Sequence, residues 1–460
     1  MQFQFPEKKR SSLATSPARA ICLSFLAVIA VGTALLTLPI SSQSGQFTPV
    51  LDCLFTATSA TCVTGLVIVD TGSYWTLFGQ VTILALIQIG GLGLVTITTF
   101  FNLALGKRLG FRSMQRAQEA MNLDGVMDVN NMIRIIIKAS LAVEGIGALL
   151  LALVFVPEFG VYGIFISVFL AVSAFCNAGF DILGPIHGQF ESLTAYGGNP
   201  IVIFTTTMLI ILGGLGFIVW VDLMHYRKNR KLILHSRIVL LITAILIVSG
   251  TVLFLAAEWS NPATLAPLPL GEKLSAAYFQ SVSTRTAGFN TIDITAMRPL
   301  TKFIAMVLMF IGAAPGSTGG GIKVTTIAVI VMTVVSVVRG RDETLIMHRR
   351  VLKGTVYKSL SIVTLAAILV IAAGSIIYFT TPASDMETGI NAMFESVSAF
   401  ATVGLSSGIS LVANIPSKLA LIITMFTGRV GPISFILSLA AKAGDENKNE
   451  VIPDGRIMVG

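Results

Sequence analysis

The chain has 460 residues, 54% hydrophobic and 12% charged, against about 25% charged in a soluble domain; its mean hydropathy is +0.84. So little charge cannot cover a water-facing surface, which excludes a soluble enzyme or binding module and implies a polytopic membrane protein. The formal net charge of +8 reads as Lys and Arg gathered on one side of a membrane, not as a nucleic-acid surface.

A tail over 1–19 precedes an apolar run at 20–39. That run has spanning length, about 20 residues, and lacks a clear small-residue cleavage site, so it reads as a retained crossing. Further runs lie at 76–105, 132–156, 200–221, 238–257, 301–338, 359–380 and 415–441, for eight crossings. Between the paired crossings lie shorter segments at 48–61, 161–176, 271–284 and 387–400. They are too short to span and read as re-entrant helices, which hold at membrane depth only when buried in protein or lining water. The chain divides into repeat 1 (20–105), repeat 2 (106–226, opening on a basic linker at 106–131), repeat 3 (227–338), repeat 4 (339–441) and a tail (442–460).

Lys and Arg follow the same division. The tail 1–20 and the segments 106–138, 227–237, 339–358 and 442–460 hold 24 of the 31. The opposite side holds four (Lys273, Arg298, Lys302, Lys418), and Arg285, Lys323 and Arg429 fall within the membrane. Excess positive charge marks the cytoplasmic side, so both termini are expected there.

Each short helix ends in the same pattern: SATCVTGL (59–66), SAFCNAGF (173–180), VSTRTAGF (282–289) and SAFATVGL (398–405). Gly65, Gly179, Gly288 and Gly404 are 114, 109 and 116 residues apart, each with an aromatic ten positions earlier (Phe55, Phe169, Tyr278, Phe394). One such glycine would be a plain helix C-cap. Four in register suggest strands around an axis: Cys62, Val63, Thr64 and Gly65; Cys176, Asn177, Ala178 and Gly179; Arg285, Thr286, Ala287 and Gly288; Ala401, Thr402, Val403 and Gly404. Glycine permits positive φ, and rings of peptide oxygens can replace the water around a potassium ion. The four helix C-termini, each about half a negative charge, favour a cation there.

The second crossing of each repeat carries its own echo: GGLG (90–93), GGLG (213–216), GAAPG (312–316) and GRVG (428–431). Paired glycines in an apolar helix suggest close helix packing. The third copy runs on through Gly312, Ala313, Ala314, Pro315, Gly316, Ser317, Thr318, Gly319, Gly320, Gly321 and Ile322 to Lys323. Proline and glycine at that density cannot hold a helix interior, so the third inner helix is expected to be broken, and it is the only one obviously so.

Arg285 lies within a cation path and is expected to point away from it, tying pore helices together. Asp52, Asp181 and Glu395 either draw cations to the mouth or brace it. Glu144 is either a coupling-ion or proton site or a structural carboxylate. The string GSTGGGIK misses the phosphate-loop pattern, because Ile322 separates Gly321 from Lys323, so no nucleotide is expected on this chain. Four scattered histidines suggest no zinc site, and the four cysteines lack ligand spacing.

The four strands, RTAGFNT (285–291), APGSTGGGIKVTT (314–326) and GRVGPIS (428–434) resemble the ion-conducting subunits of the Trk/Ktr/HKT superfamily over nearly the whole chain. The first crossing begins about 20 residues in, which favours the Ktr branch. Glycine stands in all four strands, as in potassium-selective members; some sodium-selective plant relatives have serine in the first. The resemblance implies an all-α membrane protein of four helix–pore helix–helix repeats, eight transmembrane helices plus four re-entrant pore helices around a central pore. It implies potassium uptake across the bacterial cytoplasmic membrane, with no enzymatic activity. The loop 312–322 would be the gate, with Arg429 touching it from below the strands. It further implies a homodimer with the apolar tail 442–460 at its interface, and a cytoplasmic ring of KtrA-like nucleotide-binding subunits. Those subunits would dock on the basic segments 227–237 and 339–353. A sodium-coupled potassium symporter, with sodium as a second bound ion, is the alternative.

Overall fold

The structure is a computed structural model and describes residues 17–93, 129–381 and 389–439. The tail 442–460, most of the linker 106–131 and the end of the run at 76–105 lie outside the described residues.

Four apolar runs fold as single long helices, one opening each repeat: α1 (Pro17–Thr37), α4 (Val129–Phe159), α8 (Leu234–Glu258) and α12 (Lys353–Thr380). Only 28%, 28%, 22% and 28% of their spanning windows is buried in protein, so they form the lipid-facing outer layer. The short segments fold where expected, as α2 (Val50–Thr61), α5 (Val161–Phe175), α9 (Leu270–Ser283) and α13 (Gly389–Ala401). Their aromatics Phe55, Phe169 and Phe394 are fully buried.

The inner helices are α3 (Leu77–Leu92), α6 (Pro200–Gly214) continued by α7 (Phe217–Asn229), α10 (Pro299–Phe310) continued past the loop by α11 (Val324–Val338), and α14 (Ile415–Val430) continued by α15 (Pro432–Leu439). Here the expectation of a single broken helix is corrected. Gly93 (φ 82), Gly216 (φ 87) and Gly431 (φ 94) end α3, α6 and α14 at the same point of the echoed motif. At Gly216 the chain turns by 99° between α6 and α7. One glycine at positive φ suffices, because that conformation reverses the helical path and is open to glycine almost alone.

The first glycine of the first, second and fourth motifs does a different job. A Cβ on Gly90 would fall on the Thr61 carbonyl, one on Gly213 on that of Phe175, and one on Gly428 on that of Phe400. The inner helix therefore presses directly against the end of its own pore helix, a contact that glycine alone permits. Each inner helix also packs on the next pore helix: α3 on α5, α6 on α9, α10 on α13, and α14 on α2. The fourth contact closes the circle. On the far side, α11 and α12 are joined by a short antiparallel hairpin, β1 (Leu345–Ile346) and β2 (Arg349–Arg350). It turns on Met347 and His348, both at positive φ (47 and 64), as a tight hairpin requires.

Candidate functional site

The four strands share a backbone conformation that composition did not announce. In each, φ is positive at alternate residues: Val63 (57) and Gly65 (86), Asn177 (59) and Gly179 (71), Thr286 (66) and Gly288 (83), Thr402 (52) and Gly404 (92). An extended strand points successive carbonyls to opposite sides; alternating handedness keeps them on one side. The cost of positive φ at a non-glycine residue, about 1–3 kcal/mol each, is met by the pore helix behind. The Thr64, Ala178 and Val403 N–H groups donate back to Ser59, Ser173 and Ser398 carbonyls at 2.8, 2.7 and 2.9 Å.

The strands close a ring in chain order. A Cβ on Gly65 would meet the Ala178 carbonyl oxygen, one on Gly179 that of Ala287, one on Gly288 that of Val403, and one on Gly404 that of Thr64. Each glycine thus yields its side-chain space to the oxygen of the next repeat. Serines hold the descending chain: Ser173 Oγ donates to the Phe180 carbonyl (2.7 Å), Ser283 Oγ to that of Phe289, and Ser398 Oγ accepts from the Gly404 N–H (3.1 Å). The serine six residues before the glycine in three of the segments was the available signal for this brace in repeats 2 and 4.

Asn177 reaches sideways to the next repeat, its Nδ2 donating to the Arg285 carbonyl (3.3 Å) and to Thr286 Oγ1 (3.2 Å). Arg285 is buried, but the hydrogen bonds expected of its guanidinium are not found among the described residues, and its Nε has no partner. Cys62 and Cys176 are buried free thiols that cap α2 and α5. Sequence reasoning missed Gln88. Its Nε2 donates to both carboxylate oxygens of Glu144 (3.1 Å each), and its Oε1 accepts from Cys176 Sγ (3.6 Å). Glu144 is thereby tied to the second strand.

Above the ring a cavity of about 150 Å3 is lined by the four glycines, Asp70, Asp181 and Asp293. Asp181 belongs to this mouth; burial pushes its carboxyl up to about 6, the charge of Asp70 adding to the shift and the Leu183 N–H opposing it. Asp52 and Glu395 are braces. Asp52 pairs with Lys418 at 2.7 Å, joining α2 to α14. Glu395, fully buried, accepts from Ser406 Oγ (2.9 Å) and from the Ser407 and Ser410 N–H groups (3.1 Å each), fixing the chain that leaves the fourth strand.

Below the ring lies the loop between α10 and α11. Its ends are joined by Gly312 N–H to the Ile322 carbonyl (2.8 Å). A Cβ on Gly319 would strike Thr286 Oγ1 and one on Gly320 Thr402 Oγ1, so the loop lies directly under the third and fourth strands. One flank is sewn to repeat 2: Ala314 N–H to the Gly214 carbonyl (3.0 Å), Thr318 N–H to that of Gly213 (3.2 Å), and Phe217 N–H to that of Gly316 (2.9 Å). Thr318 is the hub, fully buried, its Oγ1 also donating to the Phe175 carbonyl (3.1 Å). Arg429 approaches from the other side. It donates to the Thr318 carbonyl through Nη1 and to those of Gly90 and Gly91 through Nη2, capping the C-terminal end of α3 as a cation should. Lys323 turns back on its own loop, Nζ donating to the Gly319 carbonyl at 2.7 Å. Among the described residues no group of His, Cys, Asp and Glu can hold a metal ion.

The TrkH family model, described as a cation transport protein, matches residues 2–450. The chain belongs to the TrkH cation transport family. It is a membrane transporter, not an enzyme. It is 38% identical to the potassium/sodium uptake protein NtpJ of Enterococcus hirae over 98% of this chain and 99% of that one. It is 38% identical to Ktr system potassium uptake protein B of Bacillus subtilis, covering 97% of each. The counterpart of the latter in Vibrio alginolyticus is 40% identical, over 95% of this chain and 94% of that protein. The crystal structure of the potassium transporter TrkH from Vibrio parahaemolyticus matches with a TM-score of 0.69, covering 94% of this chain and 86% of that one at 15% identity, which supports the fold.

Proposed function

We propose that this chain takes up potassium across the cytoplasmic membrane of a bacterium, with both termini inside and the acidic mouth outside. The observation that carries the reading is the alternating left-handed backbone of four strands set in cyclic order. A potassium ion entering the mouth exchanges water for the oxygens of Thr64, Ala178, Ala287 and Val403 and their neighbours. It moves down the membrane potential, worth about 2.3 kcal/mol per charge at 100 mV, and then meets the loop. The loop is the gate: Thr318, Gly319 and Gly320 occupy the path, and Arg429 holds them there. Arg285, Cys62, Cys176 and Ala401 enter the filter only as the inner ends of its strands.

We infer that the functional unit is a homodimer of this chain, served by a cytoplasmic ring of regulatory subunits that bind the nucleotide this chain does not. The charged segments 227–237 and 339–353 face that partner. The relatives named for Ktr systems support it. A sodium-coupled symport cycle is the competing reading.

The test is potassium and sodium uptake by cells lacking their own uptake systems. Gly65→Ser puts a side chain on the Ala178 oxygen at φ 86, so potassium-over-sodium preference should fall at least about tenfold, the equivalent of 1.4 kcal/mol. An unchanged ratio at equal expression overturns the filter assignment. Potassium uptake that stops when sodium is withheld favours the symporter.

A further inference from the structure

We propose that the cavity between α11, the hairpin and α12 binds the phosphate headgroup of an anionic phospholipid. The cavity measures about 250 Å3, and its cationic lining is Arg341, Arg350 and Lys353. Two acids also line it: Glu343 is engaged by Arg350 at 3.0 Å, which leaves Asp342 against two cations. The side chains of Arg341 and Lys353 have no ion pair among the described residues. The segment 339–358 carries six Lys and Arg against these two acids, so the local potential is positive.

Two further features say what kind of phosphate fits. Lys353, Val356 and Tyr357, among the first five residues of α12, line the cavity; α12 is a 28-residue helix with no acidic residue in its first turn and no side-chain cap. Its free N–H groups add donors and partial positive charge. Around the opening the surface is apolar: Val337, Val338, Leu352 and Tyr357 are 67%, 81%, 72% and 67% exposed. A soluble phosphate uses the charges and ignores this rim. A phospholipid uses both, with its headgroup on Arg341 and Lys353 and its chains along the valines of α11. Basic pockets at the cytoplasmic ends of membrane helices recognise headgroups in this way. On the gating reading above, the site has a consequence. Helix α11 begins at Val324, directly after the loop, so a lipid holding its far end steadies the segment that closes the pore.

The test is lipid retention by the purified full-length chain, a readout independent of ion flux. After delipidation and exposure to phosphatidylglycerol or phosphatidylcholine, the protein should retain phosphatidylglycerol preferentially. Each substitution removes one charged hydrogen-bond donor from the phosphate, so Arg341→Gln and Lys353→Gln should each lower retention at least about tenfold. Arg349→Gln, outside the cavity lining, should leave it unchanged. Equal retention of the two lipids by the wild-type protein overturns the proposal without any variant. So does undiminished retention by correctly folded Arg341→Gln and Lys353→Gln, or an equal loss in Arg349→Gln. Displacement of the lipid by glycerol 3-phosphate at matched phosphate concentration assigns the cavity to soluble phosphate and also overturns it. The regulatory partner can rest on the outer side of segment 339–353 with the lipid in place; lipid retention left intact by Arg341→Gln and Lys353→Gln while regulatory-subunit binding is lost makes the cavity itself a protein contact and overturns the proposal too.

Discussion

Arg429→Met separates two ways in which one arginine can hold a pore shut. Its guanidinium bonds three carbonyls, but only that of Thr318 belongs to the loop; those of Gly90 and Gly91 belong to α3. Opening therefore has to break one charged hydrogen bond, worth about 1.5–3 kcal/mol. Removing it in advance should raise the open-to-closed ratio about 10- to 140-fold. Lys323 bonds only carbonyls of its own loop, Gly319 and Gly320, so Lys323→Met should raise the ratio far less. Arg429→Lys keeps the charge but loses the planar fork that reaches two repeats at once. If the latch dominates, the lysine variant conducts nearly as the methionine variant does; if repulsion of the ion dominates, it stays as closed as the wild-type protein. The assay is the initial rate of rubidium uptake into proteoliposomes at matched protein content. Unchanged flux in Arg429→Met, or an equal rise in Lys323→Met, would refute the latch.

Two glycines, one at a helix break and one inside a helix, give opposite predictions. Gly216→Ala forces an alanine to φ 87 and sets its Cβ 2.6 Å from the Pro315 carbonyl. It should lower the melting temperature and free the loop, raising basal flux. Gly145→Ala has open space within α4 and should be neutral or stabilising by about 0.5–1 kcal/mol, as read by thermal unfolding. Glu144→Gln keeps a partner for Gln88 and should preserve selectivity. Glu144→Leu leaves the half-buried Gln88 amide without its partner, at the low end of the cost of about 1–3 kcal/mol for a buried group, and should lower both melting temperature and potassium preference. Asp181 gives the mouth a pH dependence. Because its carboxyl titrates near 6, lowering external pH from 7.5 to 5 removes its charge, and the KM for potassium should rise through that window. Asp181→Asn should flatten the profile. For stability the sign is reversed: with the folded pKa raised, this group favours the fold below the ordinary carboxylate range, a contribution lost as pH rises through about 6.

The repeats and pore helices were legible because their signals are local and come four times: a run too short to span, an aromatic, a glycine in register. The ring itself was half legible. Glycine announced positive φ at Gly65, Gly179, Gly288 and Gly404, but nothing in Val63, Thr286 or Thr402 does so, since β-branched residues avoid that region. Their conformation is imposed by the pore helix and the neighbouring strands. The echoed glycines suggest helix packing, which holds for Gly90, Gly213 and Gly428. Gly216 and Gly431 instead break their helices, and Gly93 ends α3 in the same conformation; a lone glycine in an apolar run does not distinguish the two roles. Thr318 stood in the loop without a role because its partners Gly213, Phe175 and Arg429 are far away in sequence. Gln88 was invisible for the same reason.

The most direct measurement is the position of a bound ion. Crystals of the protein grown in rubidium should show anomalous density on the axis, in contact with the ring of oxygens from Thr64, Ala178, Ala287 and Val403, and sodium should not replace it there. Density confined to the outer mouth, or to a site among the helices away from those four oxygens, would contradict the account.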